Sequence, residues 1–332
     1  MRLWLLLATL ITAYFEDDVS YLVMSSPERG RISFLRIEGG NPIGEAEPIV
    51  DAGLQSPFGL AIDQGKSVMY VADPQSEKIF SIPFRATRGR LEMAGTPSVA
   101  VANTVARWVA VDHLGNLYYT EENPNNAVFK VQSAALDRHL RGSQLKIHDG
   151  AVASNVSQPG GINSDGFYVY WGNKDSGKER GSVVRGNARQ TNTAVDVDRN
   201  LAVMSKSSDT VYGVCTTADN LFYTDSDGVV WGVKKTGGRD VEISGDLVRP
   251  RSCAWDGDGT VYVADMGVEN GVGQKGGAIY AFPGSMRSIG PQRMTKMVNF
   301  ENAFGLALVH AGSVTAGLQA ALIVVLAMLV CK

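Results

Sequence analysis

Acidic side chains recur along this sequence at the end of short runs rich in aromatic and branched residues. Tyr70-Val71-Ala72-Asp73 is one such run. A ring of carboxylates could hold a divalent cation, because Ca²⁺ is bound through oxygen. Backbone N–H groups or basic side chains could equally hold them, since a buried carboxylate is tolerated only when it is satisfied. The recurring position is occupied by Asp73, Glu121, Asn173, Asp225, Asp265 and, in a sixth run, Met24.

Two segments imitate ligand-binding motifs without the context that the chemistry needs. Gly271–Gly276 matches the G-x-G-x-x-G pattern of dinucleotide sites, which must open a helix, yet the alternating residues 277–282 predict a strand. Asp225-Ser226-Asp227-Gly228 begins like a calcium loop, but Thr236 stands at its twelfth position, where a bidentate Glu belongs. The four histidines lack metal-binding spacing, and no G-x-S-x-G elbow is present. We therefore predict no catalytic residue, metal site or cofactor.

The acidic runs belong to a repeat that covers most of the chain. Each acidic run is the second phrase of a repeat, and it is preceded by a first phrase such as Pro57-Phe58-Gly59-Leu60-Ala61-Ile62-Asp63. Turn residues such as Gly115-Asn116 lie between the two. The anchor residues of the first phrase lie 39 to 53 residues apart, the period of propeller blades. Each unit is therefore predicted to form three or four short antiparallel strands, which make one blade. The six anchors are Gly59, Trp108, Gly161, Gly213, Ser252 and Gly305.

The sixth copy lacks its second phrase, and the missing strands lie at the other end of the chain. Residues 21–25 and 31–35, on either side of a turn at Gly30, have the expected alternation. We predict that both termini complete the last blade, which removes exposed sheet edges. The fold class is therefore all-β, a six-bladed β-propeller.

The repeated phrases resemble the NHL and YWTD repeats of β-propellers, the latter found in lipoprotein-receptor-type ectodomains. Tyr70–Asp73, Tyr118–Glu121 and Phe222–Asp225 carry the resemblance, which covers about residues 20–310. The chain is more distantly similar to the gluconolactonase and paraoxonase propellers. The resemblance implies the propeller fold and a function in binding, without indicating a particular ligand. It also implies that the recurring acidic position makes hydrogen bonds between blades and holds no metal.

The lactonase-like propellers place several calcium ligands at the residue before the glycine of the first phrase. In this sequence those positions hold Phe58, Arg107, Gly160, Tyr212, Arg251 and Phe304. None is a suitable oxygen ligand for calcium. If they converge on one tunnel mouth, the arginines offer planar forks for carboxylate or phosphate, and the aromatic residues add apolar area. We predict a ligand-binding site at Phe58, Arg107, Tyr212, Arg251 and Phe304. The alternative is that the aromatic rings plug the tunnel while the arginines pair with the acidic ring.

Both ends of the chain carry apolar segments. Arg2 and the run Leu3–Ile11 predict a signal peptide over residues 1–13, with Ala13 before the cleavage site. Residues 312–332 form a hydrophobic C-terminal tail. Two interpretations stay open for it: a lipid-anchor signal with Gly312 and Ser313 as candidate attachment sites, or a single transmembrane helix.

The net charge bears on the class of partner, and the cysteines and a glycosylation acceptor bear on the cellular compartment. The formal net charge of −3 offers no basic stripe for nucleic acid. Of three cysteines, Cys331 lies in the tail, so Cys215 and Cys253 could form at most one disulfide in the folded domain. We favour two separate buried thiols. Asn155-Val156-Ser157 is a glycosylation acceptor, which suits a secreted surface loop.

These observations predict an extracytoplasmic propeller in the secretory pathway, at the cell surface or on an organelle membrane, tethered by its tail. We expect a binding or scaffold module for a protein or a small anionic ligand. We favour a non-enzymatic function over an enzymatic one. The alternative is a calcium-dependent hydrolase of the lactonase or esterase kind.

Overall fold

The computed structural model describes residues 19–122, 124–139, 142–149, 156–174, 181–189, 201–206, 210–267 and 276–311. Within these ranges, one short helix, α1 (Ser133–Asp137), and two 3₁₀ turns, Pro27–Arg29 and Pro74–Ser76, accompany the strands. In chain order the strands are β1 (Val19–Ser26), β2 (Arg31–Glu38), β3 (Asn41–Val50), β4 (Leu60–Asp63), β5 (Val68–Asp73), β6 (Lys78–Ala86), β7 (Leu91–Met93), β8 (Ser98–Ala102), β9 (Trp108–Val111), β10 (Leu117–Glu121), β11 (Ala127–Val131), β12 (Leu145–Asp149), β13 (Pro159–Ser164), β14 (Tyr168–Asn173), β15 (Val183–Asn187), β16 (Ala202–Ser205), β17 (Val211–Thr216), β18 (Asn220–Asp225), β19 (Val230–Lys234), β20 (Val241–Ser244), β21 (Pro250–Trp255), β22 (Thr260–Gly267), β23 (Gly276–Pro283), β24 (Thr295–Asn299) and β25 (Leu306–His310).

The strands form six antiparallel sheets, one for each predicted blade. From the central axis outward they are β4-β5-β6-β8, β9-β10-β11-β12, β13-β14-β15-β16, β17-β18-β19-β20, β21-β22-β23-β24 and β25-β1-β2-β3. In the first blade β7 also pairs with β6. The predicted six-bladed propeller is confirmed.

The sixth blade is closed by both ends of the folded domain. Strand β1 pairs with β25 in antiparallel register, with Tyr21 opposite Val309 and Met24 opposite Leu306. The pairing continues beyond the strands, because the Ser25 N–H donates to the Gly305 carbonyl at 3.0 Å. The N-terminal strand therefore lies second from the axis, as the missing phrase of the sixth repeat predicts.

The innermost strands of the blades approach one another most closely where they begin. A Cβ at Gly213 would lie 2.1 Å from the carbonyl oxygen of Arg251, and one at Gly161 would lie 2.3 Å from that of Tyr212. Only hydrogen fits at such distances, which explains why glycine recurs in the first phrase. We call the face where the inner strands begin the top face and the face where they end the bottom face.

Neighbouring blades are held together by layers of apolar side chains. Between the first two blades, Tyr70 and Ile79 pack in one cluster with Leu117 and Tyr119. Tyr119 is 1% exposed, and burying an aromatic or large aliphatic side chain of this kind contributes about 1.5–3 kcal/mol. Alternating strand residues thus form a core between blades, which makes the framework rigid.

The two cysteines of the domain form a disulfide, contrary to our expectation of two separate thiols. Cys215 on β17 and Cys253 on β21 are bonded, with 5.6 Å between their Cα atoms. The interpretation was wrong because it ignored the convergence of the inner strands, which brings residues 38 positions apart into direct contact. The bond joins the fourth and fifth blades next to the axis.

Candidate functional site

The five residues predicted for the tunnel mouth lie together on the top face. Each immediately precedes or begins an inner strand, and all of them line one depression of about 550 Å³. The sixth equivalent position, Gly160, carries no side chain. Its space is used by Lys174, whose Cγ lies 3.2 Å from where a Cβ of Gly160 would be. The rim also includes Glu28, Gln55 and Gln75.

Aromatic rings form the floor of the depression. The ring of Phe304 meets Phe58 edge-on, with centroids 4.6 Å apart, and lies 4.7 Å from the ring of Trp108. Phe304 and Trp108 are only 6% and 5% exposed. Below the floor, the inner strands line a second cavity of about 280 Å³. The rings therefore close the central axis, and the depression above them stays open. The aromatic plug and the pocket, predicted from the sequence as alternatives, are both present.

Arg251 is the more buried of the two predicted arginines. Its guanidinium carbon lies 4.0 Å from the ring centroid of Tyr212, and its Nη1 donates to the Pro250 carbonyl at 3.1 Å. Burial lowers the pKa of Arg251 from its ordinary value, with Tyr212 acting in the opposite sense. An arginine remains charged nonetheless. Stacking on Tyr212 holds this cation at the depression in a defined orientation.

Arg107 is more exposed and borders an acidic residue. Its guanidinium lies 5.3 Å from the ring centroid of Phe58, and its Nη1 is 4.0 Å from Oε1 of Glu122. Lys174 makes a direct ion pair with the same carboxylate. Burial lowers the pKa of Lys174, Glu122 raises it, and Arg107 and Arg251 lower it further. Two cations therefore lie beside the carboxylate of Glu122, and Arg251 is close enough to Lys174 to affect its pKa.

Sequence reasoning missed Lys174, Glu122 and Trp108. A signal for the first two existed, because each directly follows the recurring acidic position, at Asn173 and Glu121. Met266, which follows Asp265 in the same way, also lines the depression. The end of the second strand therefore supplies site residues at the top face, as does the beginning of the first. Trp108 stands at an anchor position where four of the other repeats have glycine, so a large side chain packs where those repeats have none.

The recurring acidic residues are held by hydrogen bonds, and in four blades these reach the segment that enters the blade. Asp73 accepts from the N–H groups of Gln55 and Ser56 at 2.7 and 3.1 Å. Asp265 accepts in the same way from Val248 and Arg249 at 3.0 and 2.8 Å. The equivalent contacts are Glu121 with Thr104 and Asn173 with Ser157.

Asp225 departs from this pattern. It accepts from the N–H groups of Asp227 and Val229 and from Nε1 of Trp231, all within its own blade. The acidic positions therefore make structural hydrogen bonds, but to the segment that enters their own blade or, for Asp225, to its own hairpin, and not to a strand of a neighbouring blade as predicted. Ion pairing between Arg107 or Arg251 and these acids is not observed among the described residues.

The top-face depression does not fit calcium. Its positions nearest the axis carry aromatic rings, guanidinium groups and a glycine, and Glu28 is the one acidic residue of its described lining. The neighbouring carboxylate of Glu122 is engaged by Lys174 and Arg107. Calcium requires six to eight oxygen ligands. Within the described ranges, no three His, Cys, Asp or Glu side chains are grouped as metal ligands would be.

Several predictions concern residues outside the described ranges. These are the signal peptide over residues 1–13, the glycosylation acceptor Asn155, and the tail over residues 312–332 with its candidate anchor sites Gly312 and Ser313. In the part of the chain that is described, no helix combines the length and apolar character needed to cross a membrane.

Solved structures of distant proteins share this fold. A chain in the crystal structure of a nidogen/laminin complex is 16% identical, with a TM-score of 0.66 over 87% of this chain and 98% of that one. A gluconolactonase from Xanthomonas campestris is 12% identical, with a TM-score of 0.54 over 77% of this chain and 83% of that one. No protein-family model and no curated protein matches the sequence. At these identities the likeness concerns the fold, and at that level it confirms the resemblance to propellers of the YWTD and gluconolactonase kinds.

Proposed function

We propose that this chain is a membrane-tethered, extracytoplasmic binding module that captures an anionic segment of a partner protein in its top-face depression. One observation carries the proposal: three cations, Arg107, Lys174 and Arg251, line one depression with an aromatic floor, and Glu28 is the one acidic residue among its described lining. The depression is thus lined mainly by cations although the whole chain has a formal net charge of −3.

The depression offers both components of a binding hot spot. A carboxylate of the ligand can accept from the guanidinium forks of Arg107 and Arg251, which suit planar anions. Apolar atoms beside that carboxylate can pack on Phe58 and Phe304. Buried aromatic and arginine anchors of this type carry most of the binding energy in protein interfaces. A short peptide loop with an acidic side chain matches the size and chemistry of the site.

Two features support an extracytoplasmic location. The Cys215–Cys253 disulfide suits an oxidising compartment, because intracellular thiols are kept reduced. The apolar N-terminal run and the acceptor sequence at Asn155 agree with secretion. The fold is shared with a chain from a complex of nidogen and laminin, which is a precedent for a protein ligand on this architecture.

The proposed attachment through the tail implies that the bottom face lies toward the membrane. Strand β25 ends at His310 on the bottom face, and the apolar sequence begins at Gly312. A single intervening residue spans about 3.3–3.6 Å when extended. The top face, with its depression, then points away from the bilayer and is accessible to a partner.

Peptide selection on the full-length chain tests the proposal. Random seven-residue peptides displayed on phage are panned against the chain in detergent micelles. We expect Asp or Glu to be enriched in the bound peptides, together with an aromatic or aliphatic neighbour. Arg107→Ala with Arg251→Ala is expected to weaken the selected peptide by about 2–5 kcal/mol, because the acidic group loses its partners.

Arg239→Ala provides the matched control, since this exposed arginine lies in the connection from β19 to β20, away from the depression. Selected peptides without acidic residues, or equal binding by the double variant and the control, would refute the proposed site. If the double variant fails to fold, Arg107→Gln and Arg251→Gln retain most of the side-chain volume for the same comparison.

A further inference from the structure

Two apolar side chains protrude from the bottom face in adjacent blades. Leu114 lies in the turn between β9 and β10 and is 62% exposed, and Phe167 lies in the turn between β13 and β14 and is 78% exposed. They are the two most exposed large hydrophobic residues of the described chain. Single exposed apolar residues are common on protein surfaces and need no explanation. Whether this pair has a function therefore depends on how the two residues are arranged.

The two turns are rigid and touch each other. Asp112 accepts from the N–H of Leu114 at 3.0 Å, and Asp165 accepts from the N–H of Phe167 at 3.1 Å. The ring of His113 lies so close to Gly166 that a Cβ there would be 2.4 Å from its Cε1. Leu114 and Phe167 therefore form one patch whose turns hold it out into solvent.

Two exposed arginines lie beside this patch. Arg189 follows Ala188, whose N–H donates to the Phe167 carbonyl at 3.1 Å. Arg138 ends α1, which begins where the Ser133 N–H donates to Asn116 in the first turn. Both arginines are exposed.

Two acidic groups in the same region are ion-paired, and two others in these turns, Asp63 and Asp112, are buried. Asp165 binds Lys235 at 2.7 Å, and Asp137 binds Lys66 at 2.5 Å. The region around the protruding pair is thus apolar at its tip and cationic at its border.

The chain leaves the propeller on this same face. His310 and Gln64, in the turn between β4 and β5, exchange hydrogen bonds of 3.1 Å in both directions. Ala311 follows, and the next 20 residues contain no charged side chain. The hydrophobic tail therefore begins at the level of the turns that present Leu114 and Phe167.

We propose that Leu114 and Phe167 enter the headgroup region of a lipid bilayer, with Arg138 and Arg189 facing anionic lipid headgroups. This inference rests on the membrane attachment proposed above. Aromatic and leucine side chains with basic neighbours are the usual composition of surfaces that rest on bilayers. With the tail, the patch supplies a second contact, so the propeller leans toward its second and third blades. That contact fixes the direction in which the depression points.

Spin labels on the full-length chain test this contact. In a Cys331→Ser background, single cysteines replace Phe167, Asp258 and Asp227, each carrying a nitroxide. Asp258 is an exposed bottom-face residue of the fifth blade, and Asp227 is an exposed top-face residue of the fourth. The chain is placed in nanodiscs of phosphatidylcholine alone or of an equimolar mixture with phosphatidylserine. Collision rates with oxygen, which concentrates in lipid, and with a water-soluble nickel chelate report the depth of each label.

We expect the label at 167 to favour oxygen and to lie deeper with phosphatidylserine, while those at 258 and 227 favour the chelate. Arg138→Gln with Arg189→Gln should remove the dependence on phosphatidylserine. Equal accessibility of the labels at 167 and 258 to the chelate would overturn the contact and leave the attachment standing. Shielding of position 167 from both reagents would mean that protein covers it, which also overturns the contact. Failure of the chain to enter the discs would overturn the attachment itself.

Discussion

In the top-face depression, the guanidinium of Arg251 lies over the ring of Tyr212, 4.0 Å from its centroid. These residues begin the inner strands of neighbouring blades, so the contact depends on the closed ring of strands. It positions a largely buried cation without a carboxylate partner among the described residues. In the proposed function, this contact presents the Arg251 guanidinium to a ligand carboxylate in a defined orientation.

Replacing Tyr212 by Leu is expected to weaken a peptide selected on this site, because Arg251 loses the ring that orients it. A cation–π contact of this kind contributes about 0.5–2 kcal/mol, which corresponds to roughly a 2- to 30-fold change in Kd. Tyr212→Phe keeps the ring and serves as the control. Isothermal titration of the full-length variants measures the difference, and equal affinities for Leu and Phe at this position would show that the stacking is irrelevant to binding.

Truncation tests closure by both termini. Ending the chain before Asn302 removes β25, which leaves β1 without its inner partner and exposes apolar residues of β1 such as Leu22 and Met24. We expect loss of several kcal/mol and failure of secretion, because unpaired strand edges and buried polar groups are costly. Ending after Ala311 should yield a folded product. Secretion levels and melting temperatures compare the two, and equal values would contradict closure through β25.

The Cys215–Cys253 disulfide should stabilise the domain. It closes a loop with a sequence separation of 38, for which the loss of unfolded-state entropy corresponds to about 2–4 kcal/mol. Cys215→Ala with Cys253→Ala is expected to lower the free energy of unfolding by that amount. Urea unfolding of the oxidised wild type and the variant measures it, with reduced wild type as the matched comparison. An unchanged unfolding midpoint would show that the bond contributes nothing.

Acid sensitivity is expected from His148 on β12. The ring is buried, stacks on Trp171 at 4.9 Å, and its Nε2 donates to the Asn187 carbonyl at 3.0 Å. Burial lowers its pKa to about 4, and the hydrogen bond to Asn187 raises it slightly. The folded state therefore keeps the ring neutral where the unfolded state, with a pKa near 6.5, takes up a proton.

Stability should thus be fully present above about pH 6.5 and decline as the pH falls toward 4, by about 3 kcal/mol at most from this residue. His148→Phe should lose less stability over that interval than the wild type, whatever its stability at neutral pH. Urea unfolding at a series of pH values compares the two slopes. Parallel curves would show that His148 is not the titrating group.

The sequence predicted the fold through the spacing of its phrases, and the five mouth residues through their common place before each inner strand. Strand bounds such as Val68–Asp73 and Leu117–Glu121 followed from turn chemistry. Lys174 was missed because it follows a second strand, and its side chain occupies the space left by Gly160. Glu122 was missed because its ion pair with Lys174 joins neighbouring blades. The disulfide was missed because sequence separation does not report the approach of inner strands around an axis.

Amide hydrogen exchange of the full-length chain with and without a selected acidic peptide tests the central claim most directly. We predict slower exchange in the top-face segments 55–58, 105–107 and 248–251, which lie around the depression. Exchange in the bottom-face turns 113–116 and 165–167 should not change. Protection confined to the bottom face or to outer strands such as β3 and β24 would contradict the account.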